Sequence, residues 1–227
     1  ETGVVERARI LLHGELMAAG LKHFRPTIYL GDEWFSPEGV PAIAVPFYLA
    51  HPRLTALERE IMQSAEGSTP AWFRRLLRHE AGHSFDHAYQ ISRSPRFRKL
   101  FGDNTQRYSP DLYTIDRNSR AFVRHLPGFY AQSHPDEDFA ETFAVCITPQ
   151  LNWRKRYADW PQALEKLEFV AELIDRCADR SAPIDEGPLY FNACRMRISL
   201  GTYYRKRLAA QATLTLKRTK RRRSNQD

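Results

Sequence analysis

The hexapeptide Arg78-His79-Glu80-Ala81-Gly82-His83 contains the pattern H-E-x-x-H. An α-helix turns by about 100° per residue, so His79 and His83 lie one turn apart on the same face. Two neutral imidazoles in this arrangement can bind one zinc ion at roughly 2.0–2.1 Å, and Glu80 can then take a proton from a water on the metal. The motif therefore predicts a hydrolase site on a helix.

The residues around the motif predict that this helix is long. Thr69 is a suitable N-cap and Pro70 a suitable first helical residue, and the helix is expected to run to about Gln90. Apolar residues recur along one stripe that faces the core, at Phe73, Leu77, Ala81, Phe85 and Ala88. The histidines face away from this stripe. The alternative is a helix that happens to carry two histidines without a metal.

A catalytic zinc site has three protein ligands and one open position, so a third ligand must come from elsewhere. His87 lies two turns beyond His79, which displaces it by about 12 Å along the helix axis, too far for one ion to bridge. The longer metzincin motif is also excluded, because Asp86 and Tyr89 occupy the positions of its glycine and third histidine.

A second helix offers the missing ligand. It is predicted to begin near Pro135, with Ser133 as its cap and Asp136 completing a capping box. Glu137 and Glu141 lie one turn apart on this helix, so both can point toward the motif helix. We predict Glu137 as the carboxylate ligand and Glu141 as the residue that orients a ligating histidine. A shift by one turn would exchange these two roles.

Two segments carry a family resemblance, H-E-A-G-H-S-F-D-H-A-Y and, about fifty residues later, G-F-Y-A-Q-S-H-P-D-E-D-F-A-E-T-F-A-V. They resemble the bacterial putative zinc-binding metallopeptidases, a gluzincin-type group, and the likeness extends over most of residues 19–172. More distantly, the chain is similar to the lethal-factor-type toxin proteases, whose pattern has a tyrosine seven residues before the glutamate ligand. Tyr130 occupies that position here.

The resemblance implies a role for each matching residue. His79, His83 and Glu137 would bind one Zn²⁺, Glu80 would act as general base, and Glu141 would orient a ligating histidine. Tyr130 would donate a hydrogen bond to the oxyanion of the tetrahedral intermediate. For Tyr130 the alternative is a loop aromatic packed against the core.

The remaining pattern predicts an α+β, mainly helical fold, zincin-like, with a small N-terminal sheet beside the H-E-x-x-H helix. A helix is expected over residues 4–19, and short strands within 26–30 and 40–49. Pro41 and Pro46 cannot donate to a β-ladder, so the second strand is expected at a sheet edge, where an extended peptide could add as a further strand. An ordinary edge strand is the alternative.

The second half of the chain is predicted to be mostly helical. Residues 92–119 are expected to be irregular and lid-like apart from a short helix over 97–101, without catalytic chemistry. Further helices are expected over about 161–178 and 193–212. We predict a single catalytic domain over residues 1–212, followed by a basic, disordered tail over 213–227.

The net charge of +7 is concentrated in the tail, because residues 217–227 hold six basic residues and one acid. The run Lys217–Arg223 could make weak, salt-sensitive contacts with nucleic acid, or could simply be solvated. The three cysteines are widely spaced and form no C-x-x-C pair, which favours buried free thiols and a reducing compartment. We therefore expect a cytoplasmic protein, and no apolar run is long enough for a membrane span.

These observations favour a zinc-dependent peptidase whose substrate is a peptide or protein. Two alternatives remain open. One is a metallopeptidase that acts on nucleic-acid-bound proteins through its basic tail. The other is a non-catalytic, zinc-stabilised module that binds peptides, in which Glu80 would have no role. The sequence predicts neither the cleavage specificity nor the oligomeric state.

Overall fold

The computed structural model describes residues 3–108 and 113–224, with side chains described as far as residue 213. The described residues form two β-strands and eight α-helices. In chain order these are α1 (Val4–Ala18), β1 (Thr27–Gly31), β2 (Ala42–Pro46), α2 (Pro52–Met62), α3 (Pro70–Tyr89), α4 (Pro95–Phe101), α5 (Pro135–Cys146), α6 (Trp153–Arg156), α7 (Pro161–Cys177) and α8 (Leu200–Ser224). The mainly helical architecture with a small N-terminal sheet agrees with the sequence prediction.

Helix α3 carries the H-E-x-x-H motif and begins and ends where the sequence predicts. The Thr69 hydroxyl accepts a hydrogen bond from the backbone N–H of Trp72 at 3.3 Å, which caps the helix. At the other end Gln90 has a left-handed backbone conformation with φ 55°, and its N–H donates to the carbonyl of Asp86. A helix of 20 residues is therefore closed at both ends by local hydrogen bonds.

Helices α3 and α5 pack against each other at the centre of the protein. Gly82 allows this contact, because a Cβ atom at that position would lie 2.6 Å from the Cα atom of Ala140. One turn further along α3, Phe85 stacks on Phe143 with ring centroids 4.9 Å apart, and both side chains are fully buried. The close approach brings the polar face of α3 toward the polar face of α5.

Helix α7 packs on α5 and provides a buried ion pair. The Lys166 ammonium lies 2.5 Å from Oδ2 of Asp138 and also donates to the carbonyl of Ala121 at 2.8 Å. Both side chains are buried, so each charge depends on the other for compensation. Asp138 directly follows Glu137 on α5, so this ion pair links the turn that carries Glu137 to α7.

Helix α5 is capped by a different residue from the one expected. His134 is the N-cap, and its Nδ1 accepts a hydrogen bond from the backbone N–H of Asp136 at 3.3 Å. The expectation that Ser133 caps this helix is wrong, because its hydroxyl instead donates to the carbonyl of Tyr130 at 2.7 Å.

The two strands form a parallel pair in which Thr27 is aligned with Ala42 and Gly31 with Pro46. All five residues of β2 are buried. On the side of β2 away from β1, the backbone N–H of Ala44 donates to the carbonyl of Phe35 in a single antiparallel bridge. The prediction that the run 40–49 offers its edge to a peptide is therefore wrong, since the connection between the strands already occupies that side.

The C-terminal helix also differs from expectation. A short 3₁₀ turn covers Ala193–Arg195, and α8 begins only at Leu200. Its backbone is helical through residues 213–224, the segment that was predicted as a disordered tail, and residues 225–227 lie outside the described part. Tyr203 and Arg207 attach α8 to the body through the carbonyl of Asp32 and the carboxylate of Glu58.

The cysteines are unpaired, as predicted, but they are not all buried. Cys177 is buried, Cys146 is partly buried and Cys194 is exposed. Within the described residues, no helix combines the length and the apolar character that crossing a membrane would require.

Candidate metal centre and cleft

Three side chains from α3 and α5 converge on one point. Nε2 of His79 lies 2.9 Å from Oε2 of Glu137 and 3.1 Å from Nε2 of His83. The third distance, from Nε2 of His83 to Oε2 of Glu137, is 3.2 Å. Among the described residues, this is the group of three or more potential ligands whose donor atoms come together closely enough for a metal ion.

The donor set fits a tetrahedral zinc ion. Ligands at roughly 2.0–2.1 Å from a tetrahedral metal are separated from one another by about 3.3 Å, close to the three distances found here. Nδ1 of His79 lies 2.9 Å from a Glu141 carboxylate oxygen, so it carries the proton and leaves the lone pair of Nε2 directed at the cluster. Two imidazole nitrogens and a carboxylate oxygen that meet in this way can hold a metal ion between them.

The carboxylate of Glu141 is occupied by other partners. One oxygen accepts from Nδ1 of His79, and the other accepts from the backbone N–H groups of His125 and Leu126 at 3.2 and 2.7 Å. The side chain is completely buried. Glu141 therefore contacts Nδ1 of His79, the ring nitrogen that points away from the cluster. The convergent donor atoms include a carboxylate oxygen of Glu137 and none of Glu141.

Electrostatics in this cluster favour positive charge. Burial alone would lower the pKa of His79, but the carboxylates of Glu137 and Glu141 raise it well above its usual value. Burial likewise acts to raise the pKa of Glu137, and the two histidines outweigh it and lower that pKa well below the usual range. The site thus keeps the Glu137 carboxylate ionised, as metal binding needs, whereas the histidines must give up protons to a bound ion, so metal affinity should fall at low pH.

Glu80 and Tyr130 lie beside the cluster. Glu80 is buried, and burial raises its pKa although the neighbouring histidines lower it. The ring of Tyr130 lies 5.6 Å from that of His79, and burial raises the pKa of its hydroxyl, so the phenol remains a hydrogen-bond donor. Both side chains line the same cavity as the three convergent side chains.

Tyr108 is a site residue that sequence reasoning missed. Its hydroxyl donates to Oε1 of Glu137 at 2.6 Å and is hydrogen-bonded to the hydroxyl of Tyr130 at 2.8 Å. It lies in the segment over residues 92–119, which was expected to be irregular and without catalytic chemistry, and yet it contacts a residue of the cluster. No helical periodicity or motif marks residue 108, so only the three-dimensional contact reveals it.

The cluster opens into a cavity of about 440 Å³. Trp34, Phe35 and Ser36, from the connection between β1 and β2, form one of its walls. His87 also lines the cavity, and its Nδ1 lies 3.4 Å from the Ser36 hydroxyl, but it is not part of the convergent group. The cleft is therefore bordered by the strand connection rather than by β2 itself.

The segment that contains this cluster matches a known protein family. Residues 73–151 match the family described as "Putative zinc-binding metallo-peptidase". The match confirms the family resemblance noted in the sequence, and it contains α5 and nearly all of α3 but not the N-terminal sheet. No curated protein and no solved structure matches the chain. The metallo-peptidase family and the His79, His83 and Glu137 cluster are mutually compatible, since the cluster offers the donor atoms that zinc prefers.

Proposed function

We propose that this chain is a zinc-dependent peptidase of the gluzincin type, with a zincin-like catalytic domain over residues 1–212. The observation that carries the proposal is the convergence of two histidine nitrogens and one carboxylate oxygen on a single point in an open cleft. His79, His83 and Glu137 would hold the ion. Glu141 would fix the orientation of His79 through the hydrogen bond to Nδ1.

A bound zinc ion would supply a Lewis acid that lowers the pKa of a water and polarises the carbonyl of a peptide bond. Glu80 would take the proton from that water and later deliver it to the leaving amine. Its burial beside the cluster and its raised pKa suit a group that both accepts and donates a proton.

Tyr130 would donate its hydroxyl proton in a hydrogen bond to the developing oxyanion. One such donor contributes about 2.7–4 kcal/mol to transition-state stabilisation in other enzymes. Tyr108 would support this role by holding both the Tyr130 hydroxyl and the outer oxygen of Glu137. With Oε1 of Glu137 engaged in this way, Oε2 is left free for the metal.

The proposal is tested by measuring zinc content and peptide cleavage on the same preparations. The wild-type chain is expected to bind one equivalent of zinc and to cleave members of a peptide library. Glu80→Gln should retain the zinc and lose activity by about 10²–10⁴-fold, and His83→Ala should lose the zinc. His87→Ala is the matched control, because this histidine lines the cavity but lies outside the cluster.

Two results would contradict the proposal. A wild-type chain without affinity for zinc would exclude the metal site. A chain that binds zinc and peptides but cleaves none would support the non-catalytic peptide-binding module. We also propose a cytoplasmic, reducing location, which the free cysteines support.

A further inference from the structure

A second, smaller cavity of about 200 Å³ adjoins the metal cluster. It shares Trp34, His79, Glu80 and Tyr130 with the larger cavity, but neither His83 nor Glu137 lines it. Its other lining residues are Glu66, Trp72, Leu76, Leu126 and Pro127. We refer to it as the Glu80-side pocket.

In the proposed function, on which the ligand inferred for this pocket depends, Glu80 is the general base. The position of Glu80 then determines which part of a substrate the pocket would receive. The general base that takes a proton from water must deliver it to the leaving amine, so it lies on the amine side of the scissile bond. The Glu80-side pocket lies next to that carboxylate and on the side of the cluster away from His83 and Glu137. The side chain that follows the scissile bond would therefore enter it.

The walls of the pocket combine aromatic surface with two glutamates, Glu80 beside the cluster and Glu66. Trp34 and Trp72 provide aromatic faces and Leu76 a buried apolar wall. Glu66 contributes a second carboxylate, and among the described residues the pocket is lined by one imidazole, that of His79, and by no lysine or arginine. Trp34 also contacts Phe73 with ring centroids 5.3 Å apart, which fixes its orientation.

Glu66 is held in place through its backbone. Its carbonyl accepts hydrogen bonds from Nε1 of Trp34 at 3.4 Å and from the Tyr48 hydroxyl at 3.1 Å. In the described part of the chain, no Lys or Arg lies within ion-pair distance of its carboxylate. Nearby Arg207 instead pairs with Glu33 and Glu58. Burial and the charge of Glu33 raise the pKa of Glu66, and they outweigh the nearby charges of Arg207 and His79, which act to lower it.

We propose that the Glu80-side pocket selects substrates with lysine or arginine immediately after the scissile bond. The aliphatic part of such a side chain would lie against the two tryptophans, and its charged end would reach the Glu66 carboxylate. Long cationic side chains bury their apolar stems and place their charge over aromatic faces or next to carboxylates. A neutral side chain of the same length would make only the first of these contacts.

The test uses peptides that are identical except at the residue after the cleaved bond, which is lysine, norleucine or glutamate. For the wild-type enzyme, kcat/KM is expected to be about tenfold higher for lysine than for norleucine, and lowest for glutamate. Glu66→Gln should remove the difference between lysine and norleucine while retaining cleavage of the norleucine peptide. Glu60→Gln, the same substitution at an exposed position of α2 away from the cleft, is the control and should retain the lysine preference.

Binding of hydroxamate inhibitors separates this inference from the proposed function. Wild-type enzyme should bind an inhibitor that carries lysine more tightly than one that carries norleucine, and Glu66→Gln should bind both equally. Cleavage without any lysine preference, or a preference that persists in Glu66→Gln, would overturn the inference and leave the peptidase intact. Lysine-selective binding without cleavage of any peptide would contradict the peptidase and support the charge selectivity of the pocket.

Discussion

Replacing Gly82 by alanine tests whether the contact between α3 and α5 builds the metal site. A Cβ atom at position 82 would lie 2.6 Å from the Cα atom and 2.9 Å from the carbonyl oxygen of Ala140. Ordinary van der Waals contact begins near 3.4 Å, so the two helices would have to separate by about 0.8 Å. The obstacle is backbone, which cannot rotate away as a flexible side chain could.

The expected effect has two parts. Overpacking of a well-packed interior costs about 1–3 kcal/mol, and the higher helix propensity of alanine offsets up to about 1 kcal/mol of this. A net loss of about 1–2 kcal/mol in the free energy of unfolding is therefore expected. A separation of about 0.8 Å would also exceed the roughly 0.2 Å tolerance of metal–ligand distances, so zinc affinity should fall at least about tenfold.

The measurements are urea denaturation of the metal-free protein and competition for zinc with a chelator. Gly14→Ala is the matched control, because Gly14 lies inside helix α1 and a Cβ there would meet nothing within 4 Å. This control should gain up to about 1 kcal/mol in the free energy of unfolding, with unchanged zinc affinity. If Gly82→Ala behaves like Gly14→Ala in both measurements, the helix contact does not determine the geometry of the site.

Four further predictions concern the surroundings of the site. Glu141→Gln should lower zinc affinity by about 10–100-fold, measured by chelator competition, and an unchanged affinity would exclude an orienting role. Tyr108→Phe removes a hydrogen bond to a charged ligand and should lower zinc affinity about tenfold or more; wild-type affinity would show that the contact is dispensable. Lys166→Met should cost about 3–5 kcal/mol in urea denaturation by leaving Asp138 buried and uncompensated, and adding Asp138→Asn should restore most of the loss. Deletion of residues 213–227 should leave cleavage of short peptides unchanged, whereas loss of salt-dependent DNA binding on deletion would favour the nucleic-acid alternative.

Much of the local structure could be predicted from the sequence. The cap at Thr69, the apolar stripe and the H-E-x-x-H spacing all lie within one helix, and α3 forms as they indicate. Helical periodicity also indicated that Glu137 and Glu141 share a face of α5. These features depend on neighbours within about one turn, where the geometry of the helix itself fixes which side chains lie together.

Competing local contacts explain the errors in the same region. Both Ser133 and His134 can cap a helix. His134 is the N-cap of α5, because the Ser133 hydroxyl instead donates to the carbonyl of Tyr130. Pro41 and Pro46 indicated a strand at a sheet edge, but they did not reveal that Phe35 would pair with the other side of the strand. Each outcome was decided by a partner that the local pattern does not specify.

Local sequence patterns specify the helices and the chemical groups that each of them displays. The packing of the helices brings Glu137 to His79 and His83, Glu141 to Nδ1 of His79, and Tyr108 to the cluster. These contacts join residues 29 to 62 positions apart, and they depend on how closely α3 approaches α5. A local periodicity carries no information about that distance, which is set by the absence of a side chain at Gly82 and the packing of the core around it.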